Sequence, residues 1–159
     1  MVVEPKDKEL HRIVPTAVIY RSNLTYLIAQ RALTKKAFPG KWNVPGGGVS
    51  TDDYMHEEPT HGFQWYNTVE KTLRREVKEE VGLEMGKLEF LLDLTFIRPD
   101  GVPVLVLSYF GPYISGEVIH DEDTIDSAWV TLEEASNYDL IDGTLEEIKM
   151  VDDILKTRM

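Results

Sequence analysis

The segment Asn67–Gly82 constrains the fold of this chain most, because it predicts an amphipathic helix whose two ends are both marked. Asn67 is a favourable N-cap residue, and Glu70 three residues later completes a capping box. Gly82 is the residue type expected directly after a helix C-terminus. Between them, aliphatic residues recur at helical spacing and keep one face apolar: Val69, Leu73 and Val77. We therefore predict a helix over residues 67–81 that packs this face against other elements.

Three glutamates of this helix, Glu76, Glu79 and Glu80, lie on or beside its apolar face. At about 100° of rotation per residue they share an arc of roughly 100°, and Glu80 points into the apolar stripe. A half-buried carboxylate loses hydration, and neighbouring carboxylates repel one another. A divalent cation relieves both costs, because magnesium and manganese bind carboxylate oxygens. The alternative is a solvated acidic edge whose glutamates pair with Arg75 or Lys78.

The second motif is the stretch Trp42–Gly48, which lies upstream of the helix and ends in three consecutive glycines. Glycines let a backbone approach a ligand or a metal closely, although most glycine-rich turns are only turns. Together, the stretch and the helix resemble the Nudix box. Residues Arg75–Leu83 match the half of that box written Arg-Glu-U-x-Glu-Glu-x-Gly-U, where U is a bulky aliphatic residue, at every fixed position.

The other half of the box departs from the family pattern, in which a glycine is followed by five residues, a glutamate and seven residues before the arginine. Seven residues do separate Asn67 from Arg75, but Asn67 stands where the family usually has glutamate. Between Gly47 and Asn67 lie 19 residues instead of five, which indicates an insertion of 14. We place the insertion in an acidic and aromatic loop over Ser50–Tyr66. It is expected to cover the substrate, to contact a second subunit, or to form a surface loop anchored by Trp65 in the core.

Alternating apolar and polar residues predict strands before and after the helix, and Pro99-Asp100-Gly101 is a hairpin turn sequence between two of them. Thr131 with Glu134 predicts a short capped helix near the end of the chain. Strands around one central helix predict the α/β class with a mixed sheet between helices, and the resemblance implies a Nudix-type α/β/α sandwich. We expect one domain over residues 1–159. The predicted strands are Ile13–Tyr20, Leu24–Arg31, Trp42–Val44, Leu88–Ile97, Val102–Phe110 and Ser127–Val130, and the final predicted helix is Gly143–Lys156.

The resemblance also implies roles for individual residues. Glu76, Glu79 and Glu80 correspond to the metal-binding glutamates of the family, and Gly47 corresponds to the glycine whose backbone carbonyl joins them. Arg75 corresponds to the arginine that orients the catalytic glutamates through salt bridges. The implied cofactor is Mg²⁺, for which Mn²⁺ can substitute, and Glu79 or Glu80 would help to deprotonate the attacking water.

Further residues are candidates for substrate binding or for an additional acid. Arg31, at the end of a predicted strand, is expected to face phosphate or to remain solvated. Trp42 is expected either to stack on a base or to belong to the core. The acidic loop before the last predicted strand offers the additional acid, with a solvated loop as the alternative for each residue. The candidates are first Glu122 and Asp123, and then Glu117 and Asp121.

The resemblance implies hydrolysis of a nucleoside diphosphate linked to another group. The leading prediction is a Mg²⁺-dependent (d)NTP pyrophosphohydrolase, which suits a small single-domain chain. Pro99 follows Leu83 by sixteen residues, a spacing associated with relatives that cleave ADP-ribose, although the hairpin turn already explains this proline. An ADP-ribose or nucleotide-sugar pyrophosphatase is therefore the alternative. The alternative from another class is a non-catalytic nucleotide-binding module, which usually loses one of the three glutamates that this chain keeps.

Charge and composition limit the expected partners. The 17 basic and 28 acidic residues give a net charge of −11, which argues against binding to a nucleic-acid polymer. The absence of cysteine excludes disulfides and a thiol nucleophile. Residues 1–10 carry no apolar signal-peptide core, so we expect a cytoplasmic protein with no membrane partner. The resemblance implies a nucleotide-type small-molecule substrate. Aromatic residues in the insertion would suit a homodimer.

Overall fold

β-Branched and aromatic runs of the chain form a mixed sheet of seven strands in the computed structural model, which describes residues 3–159. The strands are β1 Arg12–Tyr20, β2 Tyr26–Arg31, β3 Trp42–Asn43, β4 Glu84–Met85, β5 Glu89–Ile97, β6 Pro103–Ser115 and β7 Thr124–Val130. The helices are α1 Thr68–Val81, α2 Leu132–Ala135 and α3 Thr144–Thr157, and a short 3₁₀ turn spans Thr51–Asp53. Within the described residues, no helix is both long and apolar enough to cross a bilayer.

The sheet has two halves that meet at the β1–β2 hairpin. Strand β1 pairs in parallel with β6 over its whole length, and β6 also pairs antiparallel with β4 and β5. Strand β2 pairs antiparallel with β3 and β7. The pairing of β1 with β2 is confined to Tyr20 and Tyr26, beside the turn that joins the two strands. Beyond that pair the two strands diverge, and the sheet is left open between its halves.

Two apolar cores lie on opposite faces of the sheet, because side chains alternate between the faces along each strand. In β1, for example, Ile19 packs in one core and Val18 in the other. The α1-side core contains Leu73, Val77 and Val81 from α1. The α3-side core contains Ile148, Val151 and Leu155 from α3. Helices therefore cover both faces of a mixed sheet, which confirms the predicted α/β/α sandwich.

The predicted elements are present, with differences at their ends. Strand β6 continues to Ser115, five residues past its predicted end, because its later part pairs with β4 as well as with the end of β1. Strand β7 begins at Thr124 through pairing with β2, and the two-residue β4 was not predicted. The turn at Gly101, which has a φ of 88°, and the capping box of Thr131 with Glu134 are confirmed.

The start of α1 differs from the prediction. Asn67 precedes the helix as predicted, but its φ of 61° is left-handed and its side chain makes no capping hydrogen bond. Glu70 pairs instead with Arg74 one turn later, at 3.0 Å. The predicted capping box is therefore wrong. At the other end, Gly82 has the predicted left-handed conformation, with a φ of 75°.

The predicted loop over residues 50–66 is a compact excursion on the α1 side of the molecule. Its start forms the 3₁₀ turn, and Trp65 packs on Tyr54 with ring centroids 5.2 Å apart. The indole nitrogen of Trp65 donates to the carbonyl of Glu57 at 2.9 Å. Trp65 belongs to neither apolar core, so the expectation that it anchors the loop in the core is wrong. The loop is held by these internal contacts and by bonds from α1 to Asp53, which accepts from the Thr72 hydroxyl at 2.9 Å and from Arg75 at 2.8 Å. Phe63 is left 95% exposed.

Candidate active site

A cleft of about 790 Å³ lies where β1 and β2 diverge, and most of the predicted site residues line it. The basic residues that line it are Arg12, Arg31, Lys35, Lys36 and Arg98. The acidic residues that line it are Glu76, Glu80, Asp121, Asp123, Asp142 and Glu147. The cleft thus presents carboxylates and cationic side chains to the same space, which suits a polyanionic ligand accompanied by a cation.

The glycine-rich loop forms one wall of the cleft, because its backbone is tied to β1. The Gly47 amide donates to the carbonyl of Pro15 at 3.2 Å. A Cβ atom at Gly46 would collide with the backbone of Pro15, and a Cβ at Gly47 would overlap the carboxyl group of Glu76. Glycine therefore lets the loop backbone lie directly against the α1 carboxylates.

Glu80 points from α1 into the cleft, as its place on the helix predicts. Its carboxylate accepts a hydrogen bond from the Gly46 amide at 3.2 Å and from the Thr124 hydroxyl at 3.5 Å. Burial raises the pKa of Glu80 to about 7, the Gly46 amide opposes the rise, and Asp121 and Glu76 add to it. A carboxylate that is desolvated in this way is stabilised in its charged form by a partner that neutralises its charge.

Arg75 connects the other two glutamates of the predicted metal site. Its Nη2 donates to Glu76 at 3.1 Å, and its Nη1 donates to Glu79 at 2.8 Å. Burial raises the pKa of Glu76, and the charge of Arg75 opposes the rise. The side chain of Glu79 is 56% exposed and does not line the cleft. The structure therefore brings Glu76, Glu80 and Gly47 together and holds Glu79 beside them through the guanidinium of Arg75.

The converging groups fit a hard divalent cation in their chemistry. They are two half-buried carboxylates and a glycine backbone, and oxygen donors of this kind are the ligands of Mg²⁺. In the part of the chain from residue 3 to 159, no three His, Cys, Asp or Glu side chains already form a metal-binding group.

Of the two predicted substrate-binding residues, Arg31 lines the cleft and Trp42 does not. Arg31 Nε donates to the carbonyl of Ala37 at 2.9 Å, which leaves the other guanidinium donors for a ligand. Trp42 packs edge-on against Tyr138, with ring centroids 4.8 Å apart, beside the α3-side core. Trp42 is thus a core residue. Its neighbour Asn43 lines the cleft instead, because adjacent strand residues point to opposite faces.

The loop before β7 places its acids differently from the prediction. Asp121 lines the cleft, donates its amide to the backbone carbonyl of Glu80 at 3.4 Å, and helps to raise the pKa of Glu80. Asp123 also lines the cleft, but its carboxylate is paired with Lys35 at 3.5 Å. Glu122 is exposed and lies outside the cleft lining. Asp121 therefore replaces Glu122 as a candidate acid, because an irregular loop has no period from which a side chain's direction follows.

Sequence reasoning missed several residues that distant elements bring to the site. Arg12 begins β1, Arg98 precedes a hairpin turn, and both line the cleft. Phe38 packs on Phe96 at the cleft, with ring centroids 5.9 Å apart, and has a left-handed φ of 50°. Asp53 is buried and accepts a hydrogen bond from Arg75 at 2.8 Å. The spacing between Gly47 and Asp53 could have identified Asp53 from the sequence. No local sequence pattern predicts that the other residues meet at the cleft.

This chain is similar to a known domain family and to several known proteins. The NUDIX domain model matches residues 10–153. Among sequence relatives, the nucleoside triphosphatase NudI of Klebsiella pneumoniae (strain 342) is 30% identical over 125 residues, which cover 72% of this chain and 79% of that protein. Among solved structures, the MutT protein of Methanosarcina mazei Go1 superposes with a TM-score of 0.70 at 21% identity, covering 98% of this chain and 99% of that one. The MutT NUDIX hydrolase of Burkholderia pseudomallei gives a TM-score of 0.71 at 23% identity, covering 90% and 99% of the two chains.

Proposed function

The chain belongs to the Nudix hydrolase family, and on that premise we propose that it hydrolyses nucleoside triphosphates to nucleoside monophosphates and pyrophosphate with the aid of Mg²⁺. One observation carries the proposal: a single cleft joins the Glu76 and Glu80 carboxylates to a set of basic side chains. The similarity to a nucleoside triphosphatase favours a triphosphate over other diphosphate-containing substrates.

The charge distribution supports a polyphosphate ligand. The protein has a net charge of −11, yet five of its 17 basic residues line this cleft. Cationic side chains in a cleft attract and orient a polyanion that the rest of the surface would repel. Arg31 can present its unbonded guanidinium donors to phosphate oxygens in a planar arrangement that lysine cannot offer.

The residues divide the work of hydrolysis between them. Glu76, Glu80 and the Gly47 backbone would hold Mg²⁺, with Glu79 joining them when Arg75 releases it. Bound there, Mg²⁺ would neutralise phosphate charge and activate water. Arg31 would orient the phosphates. Glu79 or Glu80 would accept the proton of the attacking water.

The test is product analysis with the full-length chain, Mg²⁺ and a panel of (d)NTPs, ADP-ribose and nucleotide sugars. We expect pyrophosphate and nucleoside monophosphate from the triphosphates, and no turnover after chelation of the metal. Glu80→Gln is expected to lower kcat at least 100-fold. Glu70→Gln is the matched control, because Glu70 lies on the same helix, is exposed and pairs only with Arg74.

Three other outcomes would contradict the proposal. Release of AMP from ADP-ribose without turnover of any triphosphate would replace the substrate class. Full activity in Glu80→Gln would remove Glu80 from the site. Nucleotide binding that is equally tight with and without Mg²⁺, and that leads to no product, would make the chain a binding module.

A further inference from the structure

Arg12 begins β1 and lies on the face of that strand that lines the cleft. Side chains alternate between the two faces of a strand, so Arg12 shares this face with Val14 and Thr16, which line the cleft as well. Among the described residues the Arg12 guanidinium has no ion pair, whereas Arg98 in the same cleft is paired with Asp100 at 2.6 Å. The donors of Arg12 are therefore available to an anionic ligand.

Gly48 provides the surface on which the Arg12 guanidinium lies. A Cβ atom at Gly48 would overlap Arg12 Nη2 and would lie 2.5 Å from Cζ and 2.9 Å from Nε. All of these atoms belong to the guanidinium group, which therefore lies directly against the Gly48 backbone. The φ of Gly48 is not in the left-handed region, so its backbone conformation does not require glycine. Glycine at this position instead leaves the space that the guanidinium fills.

The glycine-rich loop sets the order of groups along the cleft, because it runs antiparallel to β1. The Gly47 amide donates to the carbonyl of Pro15 at 3.2 Å. Two residues on, the Val49 amide donates to the carbonyl of Ile13 at 2.8 Å. Arg12 therefore lies next to the part of the loop that is proposed to bind Mg²⁺, on the side toward the start of β1.

The other end of the cleft has the opposite chemistry. Glu147 of α3 lines the cleft, is only 8% exposed and accepts a hydrogen bond from the Ser108 hydroxyl. Ser108 pairs in register with Thr16, which lies about 13 Å from Arg12 along β1 at roughly 3.3 Å per residue. The Glu147 carboxyl offers no positive charge to a phosphate, whereas Arg12 does. A triphosphate that passes the metal-binding residues should thus extend its terminal phosphates toward Arg12.

We propose that Arg12, which lies on the Gly48 backbone, binds the phosphate groups of a nucleoside triphosphate that leave as pyrophosphate. The proposal rests on the proposed function and assigns one end of its substrate to one end of the cleft. A guanidinium group offers parallel N–H donors that phosphate oxygens can accept in pairs. Glu76 is paired with Arg75 and not with Arg12, so Arg12 does not compete with Mg²⁺ for this carboxylate.

The experiment compares the full chain with Arg12→Gln, Gly48→Ala, the double variant and Lys149→Gln. Lys149→Gln is the matched control, because it removes the same charge from an exposed position on α3 outside the cleft lining. Calorimetry in the presence of Mg²⁺ gives the Kd of pyrophosphate and the Kd of a nucleoside monophosphate. Steady-state assays give KM for the triphosphate that wild type cleaves best, and circular dichroism at the assay temperature establishes that each variant is folded.

We expect Arg12→Gln to weaken pyrophosphate binding and to raise KM by roughly 10-fold each, because charge-assisted hydrogen bonds are lost. The Kd of the monophosphate should stay close to that of wild type. Gly48→Ala should weaken pyrophosphate binding to a similar degree, because its methyl group displaces the guanidinium. The double variant should match Arg12→Gln, since the methyl group then has no guanidinium to displace. Lys149→Gln should match wild type.

Unchanged pyrophosphate affinity in Arg12→Gln would overturn the proposal, and so would the absence of pyrophosphate binding by wild type. Equal losses of pyrophosphate and monophosphate affinity would also overturn it, because Arg12 would then attract anions without selecting the leaving group. Additive effects of the two substitutions would refute the contact with Gly48 as the cause. Should one single variant fail to fold, the other still tests the proposal. Lack of triphosphate turnover by wild type would refute the proposed function, whereas the pyrophosphate affinities judge Arg12 without turnover.

Discussion

Replacement of Glu80 by glutamine is expected to stabilise the metal-free protein at alkaline pH. Burial raises the pKa of the Glu80 carboxyl from its ordinary value of 4.5 to about 7. As pH rises from 4.5, the unfolded chain loses this proton before the folded protein does, which favours unfolding. The stability associated with protonated Glu80 is therefore complete below pH 4.5 and is lost as pH rises through about 7. Glutamine does not titrate and avoids this loss.

The expected size follows from the displacement of the pKa. One pKa unit corresponds to about 1.4 kcal/mol, so a rise from 4.5 to about 7 destabilises the folded protein by up to roughly 3 kcal/mol at pH 8. Near pH 4.5, the free energies of unfolding of wild type and Glu80→Gln should differ only by the effect of replacing a protonated carboxyl group with an amide. Between pH 4.5 and 8, the free energy of unfolding of the variant should gain up to roughly 3 kcal/mol relative to wild type.

Urea unfolding at pH 5 and pH 8 in the presence of a chelator measures this difference. Saturating Mg²⁺ at pH 8 should stabilise wild type and have much less effect on Glu80→Gln, because a ligand that binds only the folded protein stabilises it. Glu70→Gln, an exposed change on the same helix, should follow wild type at both pH values. If wild type and Glu80→Gln show the same pH dependence in chelator, Glu80 is not a desolvated carboxylate and the reasoning fails.

Two further predictions concern residues outside the cleft. Trp42→Ala should lower the free energy of unfolding by roughly 2–4 kcal/mol, because it removes the edge-on contact with Tyr138. Where the variant is folded, its KM should equal that of wild type. A raised KM without loss of stability would assign Trp42 to the substrate site. Burial opposes ionisation of Asp152, but hydrogen bonds from Lys156 and Tyr26 hold its pKa below the usual range. The stability that the pair of Asp152 and Lys156 contributes is therefore present above the usual aspartate pKa, and it is lost as pH falls through the lowered pKa. Lys156→Met should therefore destabilise the protein at pH 7, and urea unfolding should show this difference shrink toward pH 2. An unchanged difference would exclude the ion pair as its source.

Features with local causes were predictable from the sequence. The body of α1 follows from its apolar spacing, and the direction of Glu80 follows from the same helical geometry. The hairpin turn at Gly101 follows from residue types that tolerate its backbone conformation. Strand ends were less predictable. Strand β6 runs through Gly111-Pro112, residues that argue for a break, because neighbouring strands are present to pair with it.

Features that depend on distant contacts were not predictable in this way. A two-residue strand such as β3 is too short for a periodicity that would show which of its side chains meets the core. The sequence therefore left both stacking on a base and packing in the core open for Trp42, and the contact of Trp42 with Tyr138 decides for the core. The basic side of the cleft is assembled from β1, β2 and the start of a hairpin, because the sheet opens between its halves. Only the fold brings Arg12 and Arg98 to the same cleft.

The spacing of the sequence allows two positions for the insertion, and the contacts in the structure distinguish between them. Fourteen extra residues between Gly47 and Arg75 can precede the acid of the box or follow it, and both counts keep half of the pattern intact. An insertion before the acid would leave Asn67 at its position, where no carboxylate exists for Arg75 to bind. An insertion after the acid leaves Asp53 in contact with Arg75 at 2.8 Å. Extra residues then extend a loop whose two ends already lie together, which costs little chain entropy because closure entropy grows slowly with length. On this reasoning the loop can vary in length and sequence while the contact that orients Arg75 is preserved.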